Sequence, residues 1–151
     1  MGQNIMIALP TEQELLDPFY EWSKRFDWGP VSHVDLVHIV KINISPLEFG
    51  LVEIPTHEAF LQMMPTLEDF LKAEAQKIIP AHLLDKVSYL LESHYYPEDR
   101  IIELSKERGA NLVVVSTIQR QGLDSFFHHS FSEYLIKNGQ CDVFVVKGQQ
   151  I

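Results

Sequence analysis

A single cysteine, Cys141, cannot close an internal disulfide, so a reducing, cytoplasmic setting is the expectation. No stretch approaches the roughly 18 apolar residues of a membrane-spanning helix, which argues against a membrane partner. The opening residues, Met1-Gly2-Gln3-Asn4, carry neither the basic patch nor the apolar run of a secretory signal. Positive charge is also scarce: 12 Lys+Arg face 21 Asp+Glu, a net charge of −9. Such a surface repels phosphate backbones, which excludes nucleic acid as a general partner. The deficit is uneven, with 12 acids against 5 bases in residues 1–80 and 9 against 7 in residues 81–151. Any anion site would therefore be built from backbone N–H groups in the near-neutral second half.

What is present is enough for a core. The 151 residues are 46% hydrophobic and 11% aromatic, which argues against disorder and for one domain spanning residues 1–151. Ile5-Met6-Ile7-Ala8-Leu9, ended by Pro10, reads as a strand buried on both faces. The helix after it has two candidate starts: Thr11 with Glu14 as a capping box, or Asp17 capping with Pro18 at the first position. Phe19, Trp22 and Phe26 share one face of it, and Trp28-Gly29-Pro30 stops it. Residues 34–42 read as a second strand and 43–56 as a loop. A helical pattern over 57–79 is interrupted or restarted at Pro65-Thr66 and ended by Pro80. Residues 86–91 form a third strand.

Pro97-Glu98-Asp99 opens a helix whose other end carries Lys106, Arg108 and Gly109, so acids meet its positive end and bases its negative end. Leu112–Val115 is a compact strand. A loop over 116–130 leads to a helix carrying Phe131, Tyr134 and Leu135 and ended by Asn138-Gly139. Val143–Val146 is the last strand. Strands alternating with helices predict an α/β fold: an open, mainly parallel, Rossmann-like sheet of five strands with helices on both faces. Ligands in such sheets bind beyond the carboxyl ends of the strands, where strand order reverses. The segments to watch are therefore Pro10–Glu14, Ile39–Lys41 and Ser116–Ser132.

At these segments the chain resembles the universal stress protein family. Pro10-Thr11-Glu12 is similar to the family's Pro-Thr-Asp after its first strand, and Val37-His38-Ile39 to its Leu-His-Val. Gly122-Leu123-Asp124-Ser125-Phe126-Phe127, Ser130-Phe131-Ser132-Glu133 and Cys141-Asp142-Val143-Phe144-Val145-Val146 resemble Gly-Leu-Glu-Arg-Phe-Leu, Gly-Ser-Val-Ser-Glu and Cys-Pro-Val-Leu-Val-Val. The resemblance covers nearly the whole chain, is weakest over residues 43–84, and implies the adenine nucleotide alpha hydrolase-like fold. The family's ATP-binding branch carries Gly-x2-Gly-x9-Gly-[Ser/Thr], whose glycines let the backbone close on phosphates at a helix N-terminus. Laid on this sequence, the three glycine positions are Ser116, Gln119 and His129, and the hydroxyl is Ser130. Side-chain bulk at all three, most obstructively at His129 next to the helix start, predicts a dismantled phosphate site and no ATP cofactor. Thr11, Glu12 and Ile39, the positions the resemblance assigns to ribose and adenine, keep the other half of the site. The resemblance also implies a homodimer in which the apolar edge Val143, Phe144, Val145 and Val146 pairs across a two-fold axis.

Plainer roles compete with each of these. Ser130 with Glu133, and Thr11 with Glu14, spell capping boxes worth about 0.5–2 kcal/mol with no ligand. His38 reads as a hydrogen-bonded core histidine and Cys141 as a small core residue. Adjacent His128 and His129 point in different directions and lack a partner at ligand spacing, so no metal site is expected. Ser125 and Ser132 sit in no nucleophile elbow. The acids over residues 46–74, including Glu68 and Glu74, read as a solvated face. The expectation is a non-catalytic, homodimeric stress-response protein working through unidentified protein partners. One alternative is an adenine-nucleotide sensor that prefers AMP or adenosine to ATP; a second is a nucleotide hydrolase or adenylyltransferase.

Overall fold

The computed structural model describes residues 2–42, 55–118 and 123–148, with side chains except over 118–130. Its order is β1 (Gln3–Ala8), α1 (Gln13–Arg25), β2 (Val31–Lys41), α2 (His57–Ile78), a 3-10 helix (Ala81–Lys86), β3 (Val87–His94), α3 (Pro97–Glu107), β4 (Leu112–Ile118), α4 (Leu123–Asn138) and β5 (Asp142–Gly148). All strand pairings are parallel, in the order β3-β2-β1-β4-β5. This is the expected five-stranded α/β sheet. Order reverses at β1, which has β2 on one side and β4 on the other.

Each face of the sheet has its own apolar layer. Ile5, Ile7, Leu36 and Val114 meet Leu16, Phe19 and Trp22 of α1 and Leu71, Ala75 and Ile78 of α2. Met6, Val37, Val113 and Val115 meet Ile101 and Leu104 of α3 and Leu135 of α4. The central strands are thus apolar on both sides, which is why they read as unbroken runs rather than alternations. Burying each such side chain contributes about 1.5–3 kcal/mol. Cys141, expected as a small core residue, is half-buried against the second layer. Among the described residues no helix is long and apolar enough to cross a membrane.

The ends of α3 are as predicted. Pro97 stands in its first turn, and Gly109 adopts the left-handed φ of 64° just past its end. Elsewhere the elements differ from expectation for identifiable reasons. Neither candidate start of α1 is used: its cap position is Glu12, without a side-chain capping bond, and Pro18 lies inside the helix. The burial of Leu16, Phe19 and Trp22 outweighs the hydrogen bond that Pro18 cannot donate. Likewise α2 runs unbroken through Pro65, anchored by Phe60 and Leu67 before and after it, and Thr56 caps it by accepting from the Ala59 N–H at 3.2 Å.

The largest correction falls in the second half. β4 extends through Thr117 and Ile118, pairing with Lys147 and Gly148 of β5, so Ser116 lies in a strand and not in a loop. α4 begins at Leu123, seven residues before Ser130, so Ser130 and Glu133 are interior helical residues and no capping box forms. His129 is also interior to the helix and not beside its start. A Ser three residues before a Glu spells the same pattern within a helix as at its beginning. Glu74 is the other reversal. It is buried rather than solvated, accepting from the Tyr20 hydroxyl at 2.6 Å and from Lys77 at 3.3 Å.

Candidate functional site

The reversal of strand order opens a crevice of about 250 Å³ above the carboxyl ends of β1, β2 and β4. Its base is apolar, with Ala8, Val37 and Val115 from the strands and Ile101 and Phe131 from the helices. Leu9 continues beyond β1 by donating its N–H to the Val37 carbonyl at 2.8 Å, which holds the turn into Pro10 and Glu12 against the sheet. Three polar residues line it: Glu12, His38 and Ser116. None of the described wall residues is a lysine or arginine.

His38 is fixed by its surroundings. Its Nδ1 lies 2.7 Å from the Leu9 carbonyl oxygen, and its ring meets Phe70 of α2 edge-on at 6.4 Å. A carbonyl only accepts, so Nδ1 carries the proton and donates it. Burial lowers the affinity of this imidazole for a second proton, against smaller upward pushes from the Leu9 carbonyl and the Glu12 carboxylate. The expected hydrogen-bonded histidine is therefore present, and it also lines the crevice.

Of the other residues singled out from the sequence, Glu12, Ile39 and Ser116 come together in the crevice wall, while Thr11 is exposed outside it. Gln119 lies outside the described residues. His129 and Ser130 are backbone members of α4. Pro97 was read from the sequence only as the opening of a helix and Ile101 was not singled out, yet both bring α3 to the crevice; Phe131, inside the segment 116–132 marked from the sequence, brings α4.

At the amino ends of the strands, Asp35 is buried and accepts from Arg108 Nη2 and Nε at 2.7 and 3.2 Å. His33 Nε2 lies 3.1 Å from both Asp35 Oδ1 and Ser88 Oγ. A nucleophilic relay needs the acid on one ring nitrogen and the hydroxyl on the other, so this Ser-His-Asp group has the wrong connectivity. Arg100 joins Glu92, Glu103 and Glu107 beside α3, and those three carboxylates push its already high pKa further up. No group of metal-ligating side chains is found among the described residues.

The model of the universal stress protein family matches residues 32–147. The chain belongs to the universal stress protein family. A universal stress protein of Methanocaldococcus jannaschii is 37% identical over 51 residues, which span 34% of this chain and only 30% of that relative. Among solved structures, hypothetical protein MJ0577, the subject of a structure-based assignment of biochemical function, aligns with a TM-score of 0.72 and 17% identity over 100% of this chain and 99% of its own. An Archaeoglobus fulgidus universal stress protein in complex with dAMP aligns at 0.61 and 16% over 96% and 98%. A further universal stress protein, in complex with cAMP, aligns at 0.59 and 13% over 97% and 98%. At these identities the three structures share the fold with this chain.

Proposed function

We propose that this universal stress protein is a non-catalytic sensor whose crevice binds the base and sugar of an adenine nucleoside or nucleoside monophosphate and disfavours ATP. The observation that carries the reading is the crevice itself. It is an apolar slot of about 250 Å³ at the strand-order reversal, with the Glu12 carboxylate on its rim and no cation in its described wall. A carboxylate favours the donors of a ribose and repels a polyphosphate. The positions that would be glycines in the ATP-binding pattern are Ser116, Gln119 and His129, each with side-chain bulk. Two structural neighbours were solved with cAMP and dAMP, ligands that carry a single phosphate group.

Calorimetric titration tests this directly. Affinity is expected to fall from adenosine through AMP to ATP, and ATP binding tighter than adenosine would overturn the reading. The absence of a correctly connected nucleophile at Ser88, His33 and Asp35 favours ligand sensing over hydrolysis.

We further propose a homodimer built on β5. This strand ends the sheet, and Phe144 on it is 46% exposed although its ring also packs 6.3 Å from Trp22. Val143 and Val145 alternate onto the opposite layer, so a second copy pairing along this edge would cover Phe144 and satisfy the open strand. Sedimentation should give a dimer that Phe144→Lys dissociates; a monomeric wild type would contradict this part.

A further inference from the structure

The His38 side chain lies on the α1/α2 face of the sheet, opposite the layer that floors the crevice. Along β2, Val37 and Ile39 pack with α3 and α4, whereas the His38 ring meets Phe70 of α2 on the face where Leu9 is also buried. Its link to Glu12 runs through the backbone of the turn between β1 and α1. β1 ends at Ala8, which pairs with Val37, so Leu9 stands opposite His38. Both polar backbone groups of Leu9 are held by β2: its N–H donates to the Val37 carbonyl at 2.8 Å, and its carbonyl accepts from His38 Nδ1 at 2.7 Å. A continued parallel ladder would offer that carbonyl a backbone donor, and here a side chain supplies one as the chain turns away. At the other end of the turn, the Glu12 carbonyl accepts from the Leu15 and Leu16 N–H groups at 3.0 and 3.1 Å. Between these two anchors stand Pro10, whose ring fixes its φ, and Thr11.

We propose that His38 is a positioning residue of the crevice: without touching ligand, its Nδ1–H clamps the Leu9 carbonyl and thereby fixes the turn that delivers Glu12 to the crevice wall. The proposal rests on the nucleoside reading above and deepens it, because it names what holds the ribose-facing carboxylate in register. A turn with one free residue between two anchors passes a displacement at Leu9 directly on to Glu12. Hydrogen bonds to a ligand weaken steeply when an acceptor is misplaced by about 1 Å, so releasing the clamp weakens binding although no ligand contact is removed.

The test uses His38→Phe, which keeps a ring against Phe70 and lacks the donor, and His38→Asn, whose amide N–H can stand where Nδ1 does. In hydrogen exchange, the Leu9 amide should lose about tenfold protection in His38→Phe, with core amides such as Leu36 and Phe19 unchanged, and should keep it in His38→Asn. By calorimetry, His38→Phe should bind adenosine about tenfold more weakly than wild type, and His38→Asn within about threefold of it. Glu12→Ala should cost about tenfold in the wild type and less than about twofold in His38→Phe, because an acceptor already displaced has little left to lose. In the wild type, 15N shifts of the His38 ring should show the proton on Nδ1, a readout that needs no variant to fold. Unchanged Leu9 protection in His38→Phe, equal Glu12→Ala costs in both backgrounds, no rescue by His38→Asn, or a proton on Nε2 would each overturn the proposal and leave the nucleoside reading intact. Failure of adenosine to bind the wild type would overturn the nucleoside reading, and the exchange and 15N results would then decide whether His38 holds the turn.

Discussion

Removing the Arg108 side chain should cost more stability than neutralising its buried partner. Asp35 is 1% exposed and Arg108 37%, and the two are joined by hydrogen bonds of 2.7 and 3.2 Å. Breaking a buried ion pair by deleting one member typically costs about 3–5 kcal/mol, because the survivor is a charge without compensation. The two members differ in their escape routes. Arg108 can turn its guanidinium into water, whereas Asp35 is fixed in β2 between β1 and β3. Arg108→Ala therefore strands a desolvated carboxylate that keeps His33 as a side-chain partner among the described residues. The solvent access of Arg108 softens the full penalty, so we expect a loss of about 2–4 kcal/mol. Asp35→Asn keeps the shape and an acceptor for Arg108, and its cost should be about 1–2 kcal/mol. Urea unfolding at pH 7.5 measures both from the midpoint, provided the slope is unchanged. The double variant Asp35→Asn/Arg108→Ala should be more stable than Arg108→Ala alone. If Arg108→Ala costs under about 1 kcal/mol, or if Asp35→Asn costs the more, the stranded-charge reasoning is wrong.

Two further predictions concern packing and capping. Tyr20→Phe removes the 2.6 Å bond to buried Glu74 and should cost about 1–3 kcal/mol. Burial and the Glu74 bond push the Tyr20 phenol from 10.0 up to about 12, so the unfolded chain releases this proton at a lower pH than the folded one. The stabilisation is full below pH 10 and is lost as pH rises towards 12, a slope that Tyr20→Phe should flatten in alkaline denaturation curves. Gly109→Ala, at φ 64° with nothing within 4 Å of the added Cβ, should lower stability by about 1–2 kcal/mol through backbone strain alone, and Gly109→Asn by less. An unchanged thermal midpoint for Gly109→Ala would remove the left-handed cap from the account of α3.

The fold was legible where local spelling has a single physical meaning. Runs such as Ile5–Leu9 and Leu112–Val115 fit only a strand covered on both faces, and Pro97 with Gly109 marks both ends of α3. It was illegible where one spelling has two meanings. Ser130 and Glu133 satisfy the capping pattern inside α4 as well as they would at its start, and Pro18 and Pro65 are helix breakers that tertiary burial overrules. Long-range partners were also invisible. Glu74 is buried because Tyr20 stands 54 residues earlier, and His38 is locked because Leu9 stands 29 earlier. At the candidate site, the location of the crevice followed from the strand-helix alternation, whereas Glu12, Ile39 and Ser116 were picked out by family resemblance. The contributions of α3 and α4 could not be separated from ordinary core packing without the structure.

The most direct test of the central claim is an NMR titration of the 15N-labelled protein with adenosine and, separately, with ATP at equal concentrations. Adenosine should shift the amides of Leu9, Glu12, Ile39 and Ser116, which surround the crevice, and ATP should shift them less. Adenosine-induced shifts confined to residues away from these strand ends, or saturation by ATP at the lower concentration, would contradict the account.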